Sequence, residues 1–159
     1  MDAALLLRRL EVLEARVREL EDILAIQRLI ASYGPAVDGL DREALASLWT
    51  ADGTYDFGIG DPLKGRLAVA GLVDLASHRT YVEAGCAHVL SAPSIRVDGD
   101  RAVAVNCSQV FVKDGNGWRA DRTSANRWEL VRTPEGWQVA ARINRLLDGS
   151  EAARELLRL

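Results

Sequence analysis

Histidine is almost missing from this 159-residue chain: there are two, His78 and His88. Cysteine is equally scarce, and Cys86 and Cys107 show neither a CxxC pair nor metal-ligand spacing. That excludes a disulfide-built scaffold and a cysteine zinc site, and it suits a reducing, cytoplasmic compartment. Basic residues do not outnumber acidic ones: 20 stand against 23, for a net charge of −3. With no basic run and no aromatic-plus-basic stripe, nothing marks a nucleic-acid surface. Long apolar runs are lacking too. The first is broken by Arg8, Arg9, Glu11 and Glu14, so neither a signal peptide nor a membrane span is expected. Gly58-Ile59-Gly60 is followed by no GxGxxG or GK[ST] pattern, and the acids are scattered. No nucleotide, redox cofactor or metal is therefore implied.

What the chain has is patterning. Leu6, Leu10, Leu13, Val17, Leu20 and Leu24 recur at alternating steps of four and three, a heptad seam with Arg and Glu on the other faces. This predicts a long helix to about Tyr33, bent or ended by Gly34-Pro35, whose N-terminal part contacts another subunit. Asp41 reads as an N-cap for a short helix with Ala44, Leu45, Leu48 and Trp49 on its apolar face. A strand at 54–59 and a third helix at about 65–78 follow. Four strands are then expected at 88–97, 101–113, 118–132 and 136–147, joined by Asp-Gly, Asn-Gly and Pro-Glu-Gly hairpin turns. A short helix over 151–159 closes the chain. Helices first and a meander afterwards predict an α+β fold, a curved, mostly antiparallel sheet wrapped around the N-terminal helices. The expected organisation is a helical extension at 1–20, one domain at 21–147 and a C-terminal helix at 148–159. The strands are apolar on both faces, so one face needs a partner and a homo-oligomer is expected.

The residues that carry chemistry are few. His88 sits among small and apolar residues, where a charge needs a partner, and Asp38 supplies a carboxylate near the end of the first helix. Such a pair makes a general base near neutral pH. Asp38 has a plainer reading as a turn cap or a partner for Arg42. Tyr33 is either a core tyrosine or a donor to a developing oxygen. Arg142 is either a surface ion pair or a cavity cation; simple alternation places it opposite Trp137 and Val139. Ser124 and Asn126 are solvated or are pocket donors. Trp49, Tyr55 and Phe57 are candidate apolar walls, and Cys107 is a core residue or a further pocket wall. His78, at a helix end beside Arg79, is expected to be solvated.

The landmarks Tyr33…Asp38, Trp49, Asp52-Gly53, Gly65-Arg66, His88-Val-Leu-Ser and Gly136-Trp137 resemble the SnoaL-like branch of the NTF2-like superfamily over about 20–147. Within it the chain is similar to scytalone dehydratase, bile acid 7α-dehydratase and hexachlorocyclohexane dehydrochlorinase. The segments Ala25-Ile26-Gln27, Ala36-Val37-Asp38 and Leu45-Ala46-Ser47-Leu48-Trp49 look like those of the dehydrochlorinase. The resemblance implies a cone-shaped fold with Asp38 and His88 as the dyad, Arg142 as a cavity cation, and Ser124 and Asn126 as substrate contacts. Tyr33 takes the place of a tyrosine of the bile acid enzyme. It also implies a trimer ahead of a dimer. The expected function is a cofactor-independent lyase or isomerase that takes a proton from a small hydrophobic substrate, expected to be cyclic. The alternatives are a non-catalytic ligand-binding or scaffold subunit, and a cyclase or epoxide hydrolase using the same pocket.

Overall fold

A computed structural model describes residues 2–159. Helix α1 runs from Ala3 to Asp38, its first turn capped by the Asp2 carboxylate. It does not stop at Pro35, which lies inside it. So close to the end, the missing N–H of proline costs one bond and the C-terminal turn still closes, Gly39 N–H donating to the Pro35 carbonyl at 2.9 Å. Helix α2 (Arg42–Ser47) starts where Asp41 accepts from the Ala44 N–H. Trp49 belongs to strand β1 (Trp49–Asp56) rather than to that helix. Then come β2 (Leu63–Lys64), α3 (Arg66–Ala70), a 3₁₀ turn over Gly71–Asp74, and α4 (Ala76–Ala84). The single third helix expected from sequence is thus broken in three, and its last piece extends six residues further.

Strands β3 (Cys86–Leu90), β4 (Ser94–Asp98), β5 (Arg101–Asp114), β6 (Gly117–Thr133) and β7 (Gly136–Leu146) follow, then α5 (Glu151–Leu156). The seven strands form one mixed sheet in the order β2-β1-β7-β6-β5-β3, with β4 also on β5. Only β1 and β7 pair in parallel. The strand expected over 88–97 is two strands along one edge of β5, because Pro93 cannot donate to a ladder. Ser91 spans the gap. Its N–H donates to Cys107 O at 2.9 Å, its Oγ accepts from Cys107 N–H at 3.1 Å, and its carbonyl accepts from Asn106 Nδ2 at 3.0 Å.

One face of the sheet covers α1 through Ile26, Ile30, Tyr33, Val37, Trp49, Trp128, Leu130 and Val139, all buried. A bulge between Glu129 and Leu130 skips Ala140, so Arg142 faces inward together with Val139 and Trp137. Alternation alone had separated them. Helix α5 returns across the outer face of β6 and β7, burying Ala153, and Arg127 donates to the Arg158 carbonyl at 2.9 Å. The chain therefore covers part of the outer face by itself.

Helix α1 and β3 approach unusually closely. A Cβ placed on Gly34 would lie 2.3 Å from the His88 carbonyl oxygen. Alanine outranks glycine in a helix interior by about 1 kcal/mol, yet Gly34→Ala is expected to destabilise by about 1–3 kcal/mol because strand and helix must separate. Urea unfolding measures this; a stabilised variant would show that the approach is not tight.

Candidate active site

The close approach delivers His88 to the end of α1. Asp38 Oδ1 lies 2.6 Å from His88 Nδ1, and Asp38 Oδ2 accepts the His88 backbone N–H at 2.7 Å. Cys86 Sγ donates to Asp38 Oδ1 at 3.3 Å. Burial raises the Asp38 pKa, but the His88 hydrogen bonds outweigh it and hold the carboxyl below its ordinary value. An ionised carboxylate only accepts, so Nδ1 of His88 carries a proton, and in the neutral ring Nε2 is the nitrogen with the lone pair. Burial, then the Asp38 bond, push the Cys86 thiol up to about 12, so it stays a protonated donor.

Asp38, Cys86 and His88 offer three donor atoms within 4.8 Å of one another, a convergence that spacing in the sequence did not show. The 2.6 Å contact is that of a hydrogen bond. Two ligands each about 2.0–2.2 Å from a tetrahedral ion stand farther apart than that. The donor set as arranged fits a proton-sharing cluster better than a metal.

His88 opens onto a cavity of about 210 Å³, walled by Tyr33, Val37, Tyr55, Phe57, Leu72 and Leu75 among others. Behind it lies a smaller, polar chamber of about 30 Å³ that shares Tyr33, Tyr55, His88 and Arg122 with the first. Its remaining walls include Ser108, Ser124, Arg142 and Asn144. That volume suits one oxygen-sized group.

Arg142 dominates the inner chamber. It is 2% exposed, and no carboxylate pairs with it among the described residues. Its guanidinium carbon lies 4.0 Å from the Tyr33 ring centre, 4.1 Å from Trp128 and 4.6 Å from Tyr55, so three aromatic faces compensate part of the charge. Nε and Nη2 donate to Asn126 Oδ1 at 3.2 and 2.7 Å, while Nη1 is buried without a partner. An unpaired buried cation is costly, and this one has a free donor left for an anion. Burial pushes the Tyr55 phenol upward, the opposing effect of Arg142 being smaller, so Tyr55 stays neutral.

The structure thus gathers His88, Tyr33, Tyr55, Phe57, Ser124 and Arg142 around two cavities that share four lining residues, with Asp38 bonded to His88 beside them. Three expectations change. Asn126 is fully buried behind Arg142, bonded to Ser108 Oγ and Asn144 Nδ2 at 2.9 Å, so it holds the guanidinium in place and lines neither chamber. Trp49 is fully buried in the core and lines neither chamber. Cys107 alternates with inward-facing Asn106 and Ser108, placing it on the outer sheet face; Cys86 is the cysteine at the site. Arg42 pairs with Asp74 and leaves Asp38 to His88.

Sequence reading missed two residues. His78 is not solvated: it lies within α4, lines the larger cavity, and Nε2 donates to the Val37 carbonyl at 3.0 Å. It sits in the first turn of α4, whose start after the break at Leu75 the sequence did not reveal. Arg122 lines both chambers because it shares the inward face of β6 with Ser124 and Asn126, the β5–β6 register being regular from Asn126 to Arg122 and the bulge at Val110/Phe111 lying beyond it. The signal that would have found it is the two-residue alternation already used for Ser124 and Asn126.

Comparison with known proteins gives consistent relatives. A family model described as SnoaL-like domain matches residues 18–143. An uncharacterised protein of Mycobacterium tuberculosis is 31% identical over 134 residues, 80% of this chain and 86% of the other. An NTF2-like protein with a cystatin-like fold from Novosphingobium aromaticivorans is 47% identical, with a TM-score of 0.90, covering 92% of this chain and 96% of that one. A second protein of that organism, proposed to be an aromatic ring hydroxylase, is 25% identical with a TM-score of 0.65, over 80% and 90% of the two chains.

Because the Asp38 pKa is lowered on folding, its stabilising contribution is complete above the ordinary carboxylate value, about 4, and is lost as pH falls through the lower folded value. Asp38→Asn is therefore expected to lose stability at pH 7 and to show a flatter acid limb below about pH 4. Tm followed against pH reads both effects. In the same variant Cys86 loses an acceptor that holds it protonated, and iodoacetamide is expected to label it faster than in the unaltered protein.

Proposed function

This chain belongs to the SnoaL-like family of the NTF2-like superfamily, and we propose that it is a cofactor-independent lyase or isomerase that removes a proton from carbon in a small, hydrophobic, cyclic carbonyl compound. The carrying observation is the pairing of an oriented base with an unpaired buried cation: His88 on Asp38, and Arg142 with Nη1 free, lining one polar chamber. The ring occupies the larger apolar cavity and its carbonyl oxygen enters the inner chamber. His88 Nε2 takes the proton from the carbon beside that carbonyl, and the C–H electron pair moves onto the oxygen. Asp38 stabilises the imidazolium that results. Arg142 Nη1 and the Tyr33 and Tyr55 hydroxyls face the developing enolate.

The second half of the reaction needs a proton donor, and His78 is placed for it. The two histidine rings lie 5.6 Å apart across the cavity. With Nε2–H committed to the Val37 carbonyl, Nδ1 of His78 is the nitrogen that gains or gives up a proton. As the enolate reforms the carbonyl, protonated His78 gives its proton to a departing β-hydroxyl, which leaves as water. Alternatively the proton goes to the γ-carbon, which shifts the double bond. Transfer of the first proton from His88 to His78 then restores the site.

The test is deuterium wash-in from D₂O into a panel of cyclic ketones and β-hydroxy ketones, followed by NMR, with enone formation followed by absorbance. His88→Ala is expected to lose about 10²–10⁴-fold in exchange while retaining its fold. Asp38→Asn loses several orders of magnitude, because an amide permits the wrong tautomer and cannot stabilise the imidazolium. Arg142→Lys lowers kcat more than it raises KM, since the cation meets charge that develops in the transition state. A folded His88→Ala protein that exchanges normally would leave the ligand-binding reading in front. A separate outcome concerns His78: His78→Gln slows loss of hydroxide far more than loss of chloride from the same ring, because chloride departs without a proton. Equal slowing of both would deny His78 the acid role.

A further inference from the structure

Helix α1 is docked on the domain only from Asp22 onward. There the carboxylate receives Arg132 Nη1 and Nη2 at 2.7 Å and Trp137 Nε1 at 2.9 Å. Residues 2–21 are exposed throughout, an arm about 30 Å long at 1.5 Å per residue. Along this arm and just past its root, the seam is bare: Leu6, Leu10, Leu13, Val17, Leu20 and Leu24 are between 44% and 65% exposed. A continuous apolar stripe of that length is seldom left bare to water, and nothing among the described residues covers it.

We propose that this arm forms a parallel, in-register coiled coil with a second copy of the same chain. The occupant is decided by charge. In the heptad, Leu10, Val17 and Leu24 take position a, and Leu6, Leu13 and Leu20 take position d. The residues flanking the seam are then Arg9 and Arg16 at g, with Glu14 and Glu21 at e. In a parallel pair, each g residue meets the partner's e residue five positions further on. Arg9 thus faces the partner's Glu14, and Arg16 faces the partner's Glu21, twice over by symmetry. Antiparallel packing sets g against g and e against e, which opposes Arg to Arg and Glu to Glu. The sequence of the arm is therefore complementary to itself in one orientation only. A lipid surface is a poorer occupant: Arg8, Arg9, Arg16 and Arg18 are outnumbered by Glu11, Glu14, Glu19, Glu21 and Asp22, the wrong balance for an anionic bilayer.

The experiment is sedimentation velocity on the full-length chain over a dilution series, with far-UV circular dichroism to check that each variant keeps its helix. The unaltered protein is expected to associate. R9E/R16E makes both flanks acidic and should weaken association at least tenfold. The quadruple variant R9E/R16E/E14R/E21R reverses every pair and should recover association to near the original strength. Leu13→Asp breaks the seam without touching e or g and should also dissociate the assembly. Antiparallel packing would leave R9E/R16E unaffected, since one like-charge contact merely replaces another; that result overturns the proposal. So would a monomeric full-length protein, or association unchanged after deletion of residues 1–20. None of these readouts involves turnover, so they stand or fall apart from the proposed chemistry.

Discussion

The Asp38 carboxylate is the contact on which the site depends. It closes a 36-residue helix and accepts hydrogen bonds from the backbone and ring of His88 and from the Cys86 thiol. Three donors from one strand converge on one side chain. The strand is thereby held against the helix end at a spacing that only glycine at position 34 permits. Orientation of the imidazole and docking of β3 are thus the same interaction. A carboxylate below its ordinary pKa is the electrostatic record of that arrangement.

Arg142 imposes the complementary constraint. A guanidinium 2% exposed and without a carboxylate must be compensated by softer means. The protein uses three aromatic faces and the Asn126 side-chain oxygen, itself fixed by Ser108 and Asn144. This polar cluster is built from inward positions of β5, β6 and β7, three neighbouring strands in register at Asn106, Asn126 and Asn144. A sheet provides the rigidity to hold a cation whose last donor is free; a loop would let it turn toward water.

The two halves of the site come from distant parts of the chain and from different kinds of structure. Asp38, Tyr33 and His78 belong to helices, while His88, Arg142 and Ser124 belong to strands. What brings them together is the wrap of the sheet around the C-terminal third of α1. The part of that helix before Asp22 takes no part in the cavity, and its features are those of a surface that packs elsewhere: exposure at every position, an unbroken seam and ordered flanking charge.

Sequence alone determined the elements whose cause is local. The Asp41 cap and the hairpin turns placed α2 and the β5–β7 meander to within a residue or two, because turn chemistry acts between near neighbours, while the heptad spacing found α1 but not its end, which lies five residues past Tyr33. The pairing of Asp38 with His88 was legible because the chain has so few histidines and because a known family frame surrounds both residues. Tertiary structure alone decided what depends on register and on long-range contact. A bulge that skips Ala140 put Arg142 on the same face as Trp137. The break before Ala76 and the packing of α4 brought His78 to the cavity, and the return of α5 covered part of the outer sheet. Asn126 became a support for Arg142 rather than a wall, since which buried polar group faces a ligand depends on what packs in front of it. A one-residue slip in a strand inverts every side chain beyond it, and no local pattern records the slip.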